Sequence, residues 1–136
     1  MTTKSEVWAI VAGFVLLGVG RYLIHGLWLI DTYRQNATLW RPESAMVHMV
    51  WAVQVANLLL AVAGVLMYVR GVESKPWLGQ GLRFGILLAL ASTVPQSLLK
   101  YYTYPVSTTL MLQWVVGEGL LVVLLGVVIA AICRTK

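Results

Sequence analysis

Four long apolar segments dominate this chain and leave it few ways to fold. They run approximately from Val7 to Ile30, Ala45 to Val69, Leu78 to Leu99 and Thr108 to Cys133, each close to the ~20 residues that a helix needs to cross hydrocarbon. Together they take up most of the 136 residues, so little remains from which to build a soluble core. Inside a bilayer every backbone amide must be bonded within the structure, which restricts spanning segments to helices and closed barrels. A barrel calls for alternating segments of about ten residues, whereas Leu120 to Ala131 is apolar throughout apart from Gly126. The expected fold is therefore all-α, a transmembrane four-helix bundle forming one integral membrane domain over 1–136, with helices over about 7–30, 45–69, 78–99 and 108–133. Short connections from Arg70 to Trp77 and from Tyr101 to Ser107 predict antiparallel sequential neighbours in an up-down-up-down order.

The small charge content agrees with lipid as the solvent. Only 11% of residues are charged, against about 25% in soluble domains. A net charge of +5 points to nucleic acid in a soluble protein, but here the basic residues cluster at segment ends, where they sort topology. Nucleic acid is thus not an expected partner; the lipid bilayer is. Lys4, Arg70, Lys75, Arg83, Arg134 and Lys136 fall on one side, while Arg34 and Arg41 fall on the other and are balanced by Asp31 and Glu43. The excess predicts a multi-pass inner-membrane protein with both termini in the cytoplasm. The first segment follows Lys4 but is too long for a signal peptide and lacks a small-residue cleavage site before Arg21, so a retained helix is expected. Cys133 is the only cysteine, which excludes intramolecular disulfides and cysteine-based metal motifs. Packing at a helix end is its expected role, with acylation as the alternative.

Helix three has a legible start: Ser74 is placed to cap it, Pro76 suits its first turn, and Arg83 can snorkel to the surface. The Asp31 to Ser44 loop, with its Trp40-Arg41-Pro42-Glu43 run, reads as a rigid entry into the second helix, with a lid over the bundle as the alternative. It contains the sequon Asn36-Ala37-Thr38, which has meaning only in a eukaryotic secretory pathway. Trp8, Trp28, Tyr33, Trp40, Trp77, Tyr101, Tyr102 and Tyr104 lie near segment ends, where interfacial anchoring is the expected role. Pro95 is expected to bend helix three and free a carbonyl near Ala91 or Ser92.

Polar groups at membrane depth carry the functional signal. Counted inward from the outer ends, Arg21 and Glu118 lie about ten residues deep and Gln54 about nine, a common level at ~1.5 Å per residue. His25 and Gln96 lie nearer the outside and Asn57 slightly deeper. Gly18, Arg21, His25 and Trp28 share a face by spacings of three and four, as do Gln54, Asn57, Ala61, Gly64 and Tyr68. Gly85, Ala89, Ser92 and Gln96 form a similar stripe, and Glu118 stands between Gly117 and Gly119, where small residues allow close helix approach. A lone ionised side chain at this depth costs about 2.5–3.5 kcal/mol, so Arg21 and Glu118 are expected to pair. Such a pair serves to fix helix register, or it belongs to an outward-facing polar site for a solute, ion or proton with Glu118 as its titratable group. His25 and His48, placed within a turn of the same depth, raise a further alternative as axial ligands of a haem. There is no HExxH, CxxC or phosphate loop, and no carboxylate cluster able to hold a metal.

The stretch Leu39-Trp40-Arg41-Pro42-Glu43, with Gly81-Leu82-Arg83-Phe84-Gly85 further on, resembles a group of small bacterial four-helix inner-membrane proteins of uncharacterised function. The resemblance spans nearly the whole chain and implies a bacterial inner-membrane setting; it supplies no catalytic residues. The expected function is a non-enzymatic accessory or interaction subunit, assembled with itself or within a larger membrane complex. Seams such as Gly13, Gly18 and Gly20 offer contacts for such assembly or for packing within the monomer. The alternatives are a small oligomeric transporter or channel with a polar site around Arg21 and Glu118, and a haem-binding bundle; no cofactor is assigned.

Overall fold

The computed structural model describes residues 3–134, which fold into helices joined by short connections. Lys136 lies outside the described residues. Four helical segments are long and apolar enough to cross a membrane: Thr3–Trp28, Val50–Gly71, Trp77–Thr103 and Thr108–Ile132. In chain order the elements are α1 (Thr3–Arg21), a π-helix (Tyr22–Trp28), α2 (Ile30–Gln35), a 3-10 turn (Ala37–Leu39), α3 (Glu43–Val47), α4 (Val50–Gly71), α5 (Trp77–Ala91), α6 (Thr93–Thr103) and α7 (Thr108–Ile132).

Helix α7 is the hub, packing on α1, α5, α6 and, more lightly, α4. Its buried positions Leu110, Trp114, Gly117, Leu121, Leu125 and Ile129 recur at spacings of three and four, so one stripe runs its whole length. Ser107 starts it, its Oγ accepting from the Leu110 amide at 3.1 Å, which satisfies one of the donors that a helix start leaves unpaired. Lipid gives helices no hydrophobic reason to associate, so close packing must supply the attraction. Glycine provides it where α5 meets α7: a Cβ built on Gly85 would lie 2.6 Å from the Val123 carbonyl oxygen, and one on Gly126 would lie 2.6 Å from that of Gly81. Cys133 is buried past the end of α7, its thiol directed at the Ser5 carbonyl oxygen at 3.9 Å, which is a packing role.

Three expectations need correction. The second span starts at Val50, because α3 ends at Val47 and a turn at His48–Met49 intervenes; the apolar run from Ala45 is two helices. Ser74 does not cap helix three, whose N-cap is Pro76 without a side-chain cap. Gln80 organises that turn instead: its Oε1 accepts from the Glu73 amide at 2.8 Å, and its Nε2 donates to the carbonyls of Glu73 and Lys75 at 2.8 and 2.7 Å. Finally, several aromatics assigned to interfacial anchoring form a packed cap. Tyr33 and Trp40 meet edge to face at 5.4 Å, and Trp40 also packs on Tyr104 and Trp114 at 5.8 and 6.3 Å, closing the lid over Leu29 and Leu110. Trp8, Trp28 and Tyr102 remain exposed, as belt residues are.

Two irregularities shape the site. The first span changes winding after Arg21 into the π-helix, with the Leu29 amide bonded five residues back to Ile24 at 2.9 Å. The third span breaks at Ser92 between α5 and α6. Pro95 lacks the amide proton that would bond back to Ala91, and the Ser92 hydroxyl donates to the Leu88 carbonyl at 2.6 Å. Below this break the second and third spans touch, Tyr68 standing edge on to Phe84 at 5.4 Å. Above it they part.

Candidate functional site

Where the second and third spans part, a cavity of about 1070 Å³ reaches the deep polar layer. Its volume sits near the upper end of ordinary small-molecule sites, about 300–1,000 Å³. Arg21, His25 and Glu118 border it from the first and fourth spans, Gln54 and Asn57 from the second, and Gln96 from the third.

Glu118 stands at the centre of the layer. Its Oε2 accepts from Arg21 Nε and Nη2, both at 3.3 Å, and its Oε1 lies 2.7 Å from His25 Nε2. Arg21 Nη1 donates to Asn57 Oδ1. The pair expected of Arg21 and Glu118 is therefore present, and three helices converge on it. Asn57 and Arg21 each lie seven positions below the start or end of their spans, Val50 and Trp28, so they share a depth. The sequence count puts Gln54 in that role; the turn at His48–Met49 shifts the second helix, and Gln54 sits one turn nearer the rim. Gln54 and Gln96 line the cavity without a side-chain hydrogen bond among the described residues.

The bonds continue outward into the lid. His25 Nδ1 lies 2.6 Å from the Tyr33 hydroxyl, which accepts from Trp114 Nε1 at 2.7 Å. Donor chemistry orders the chain: an indole only donates and an ionised carboxylate only accepts. With Trp114 donating to the Tyr33 oxygen, the phenol can donate to His25 Nδ1 while His25 Nε2 donates to Glu118. Burial pushes the Tyr33 phenol up to about 12, with the Glu118 charge adding to the rise and the Trp114 bond opposing it. Neither Tyr33 nor Trp114 stands among the site residues expected from the sequence. Trp114 is legible there, four residues before Glu118 on one helix face; no spacing in the sequence brings Tyr33 to His25.

The two histidines meet different fates. Both ring nitrogens of His25 are engaged, whereas His48 is exposed in the turn before α4 and does not line the cavity. The geometry gives no support to these two as axial ligands of one haem. Among the described residues no group of three His, Cys, Asp or Glu side chains is placed to hold a metal.

Helix α6 contributes a polar stripe that the sequence displays but no motif marks: Thr93, Gln96, Ser97 and Lys100 succeed one another at spacings of three, one and three and all face the cavity. Lys100 Nζ also stands 5.5 Å from the centre of the Trp114 ring. One donor in the layer has no acceptor. Arginine can only donate, so the amide oxygen of Asn57 must face Arg21, and its Nδ2 turns away, buried and unpartnered. A buried donor left this way costs about 1–3 kcal/mol. Each carboxylate oxygen of Glu118 thus has a protein partner, Oε2 in Arg21 and Oε1 in His25. Comparisons with protein families, with curated proteins and with solved structures find no match to this chain.

Proposed function

We propose that this chain is a multi-pass protein of a bacterial inner membrane that works as a non-enzymatic binding subunit, receiving a membrane-embedded ligand in the cavity between its second and third spans. The observation that carries this reading is the unpartnered Asn57 amide nitrogen, on a residue lining a cavity whose deep charged groups already satisfy one another. The up-down-up-down order and cytoplasmic termini are part of the reading. Supporting them are the basic residues at one set of helix ends, the short turns, and the contact of Cys133 after the last helix with Ser5 near the start of the first. Assembly with itself or with larger membrane proteins is favoured by the broad apolar surface that the four helices present.

Gly18 supplies the test. It borders the cavity, and a Cβ added there would meet nothing within 4 Å, so Gly18→Trp fills the space without breaking the helix. Extraction in mild detergent, with mass spectrometry of the bound small molecules, is expected to show a stoichiometric ligand in the wild type and its loss in the variant. Equal content in both proteins would overturn the reading.

A second reading is favoured by one observation: Glu118, at membrane depth, borders the cavity together with His25. A transporter using that carboxylate would lose flux in reconstituted vesicles on Glu118→Gln while still assembling. A binding subunit would show no flux to lose.

A further inference from the structure

We infer that the occupant of this cavity is one anionic phospholipid of the surrounding bilayer, its phosphate held at the Lys100 rim and its ester carbonyl at Asn57. This rests on the binding reading above and names the ligand class.

Charge and donor count select the class. Among the described residues Glu118 is the one carboxylate lining the cavity, and its oxygens are held by Arg21 and His25. The hydroxyls of Ser92, Thr93 and Ser97 give their protons to backbone carbonyls, and what the lining keeps for a ligand is the Lys100 ammonium, the Gln54 and Gln96 amides and, buried behind them, the unpartnered Asn57 Nδ2. A set dominated by donors and carrying one uncompensated positive charge suits oxygen acceptors on an anion and disfavours a cation. The second observation is the buried donor itself: Asn57 is fully buried, and its Nδ2 has no acceptor among the described residues.

Position selects a lipid over a free anion. The gap lies between two spans that meet at Tyr68 and Phe84 and part beyond Ser92, so in a membrane it opens sideways onto acyl chains. Polar lining grades into apolar lining with depth. Lys100, Gln96 and Gln54 lie toward the lid end, Asn57 comes three residues after Gln54, about 4.5 Å deeper, and Leu60 lies below it. That order matches a phosphate, an ester and an acyl chain in turn.

The test uses the full chain, stripped of lipid in detergent and offered phosphatidylglycerol or phosphatidylcholine of the same chain length, with retention read by native mass spectrometry. The expected result is one phosphatidylglycerol per chain, preferred by about ten-fold, the scale of one partly desolvated charged contact. Lys100→Gln, at an exposed position, is expected to erase the preference. Asn57→Asp keeps the side-chain shape and the bond to Arg21 but removes the donor, and is expected to release both lipids. Equal retention of the two lipids by the wild type, or an undiminished preference in Lys100→Gln, would overturn the assignment. So would displacement of the lipid by inorganic phosphate alone, which would make the site one for a free anion. Gly18→Trp separates the two levels: if it expels ligand while the wild type shows no preference, the cavity still binds and only the anionic lipid falls. If it retains phosphatidylglycerol like the wild type, both fall.

Discussion

His25 and Glu118 meet at 2.7 Å across a sequence separation of 93 residues, and the carboxylate holds Arg21 with its other oxygen. Removing the charge of Glu118 strands Arg21 at membrane depth. Breaking such a pair by deleting one partner costs about 3–5 kcal/mol when both are fully buried. Arg21 retains 22% side-chain exposure, and the expected loss for Glu118→Gln is nearer ~2–3 kcal/mol. Thermal unfolding in detergent checks it, and the double variant Arg21→Gln/Glu118→Gln is expected to recover part of the loss. A single variant as stable as the wild type would show the pair to be energetically idle.

Tyr33 gives the lid a pH dependence of defined sign. Its phenol, pushed up to about 12 against an ordinary value near ~10, binds its proton more tightly folded than unfolded. The stabilisation it lends is therefore complete below pH ~10 and lost as pH rises toward 12. Absorbance at the tyrosinate band should show one late-ionising tyrosine fewer in Tyr33→Phe than in the wild type.

The α5–α7 contact leaves no room for a methyl group at Gly85 or Gly126, where an added Cβ would press on backbone atoms that cannot rotate aside. Gly85→Ala and Gly126→Ala are each expected to destabilise by about 1–3 kcal/mol or more. Gly119→Ala, where a Cβ meets nothing within 4 Å, is expected to be neutral or slightly stabilising. A melting series across the three variants decides it.

Gln80 fastens the turn between the second and third spans through three hydrogen bonds, alongside the Lys75–Glu73 ion pair. Gln80→Ala is expected to cost about 1–2 kcal/mol and, more visibly, to speed tryptic cleavage after Arg70 at the start of this turn, the Lys75–Pro76 bond being resistant. Unchanged proteolysis would show that Pro76 alone holds the turn.

The four spans were readable because a bilayer admits only helices and closed barrels, and the sequence has four long apolar runs in place of a barrel's short alternating segments. The Arg21–Glu118 pair was readable for the same reason, since two opposite charges at one depth have few alternatives. The start of the second span was not, because Ala45 to Met49 is nearly as apolar as the helix beyond it and hydropathy cannot mark a turn inside such a run. That blind spot exchanged Gln54 for Asn57 in the polar layer. Tyr33 and Trp40 were hidden by their position at helix ends, where an aromatic ring looks the same whether it faces head groups or a neighbouring ring. The wide turn after Arg21 leaves no mark in side-chain periodicity over seven residues.

That wide turn gives Glu118 a second property. Both protein groups that hold its oxygens come from the same helix, Arg21 as the last α-helical residue and His25 within the π-helical stretch. The carboxylate thus clasps the first span on either side of its change of winding. Rewinding Tyr22–Trp28 as an ordinary helix would rotate His25 away while Arg21 stayed in place, and would draw Tyr33 and the lid with it. The pitch of one helix, the bonding of one carboxylate and the seating of the lid are set together.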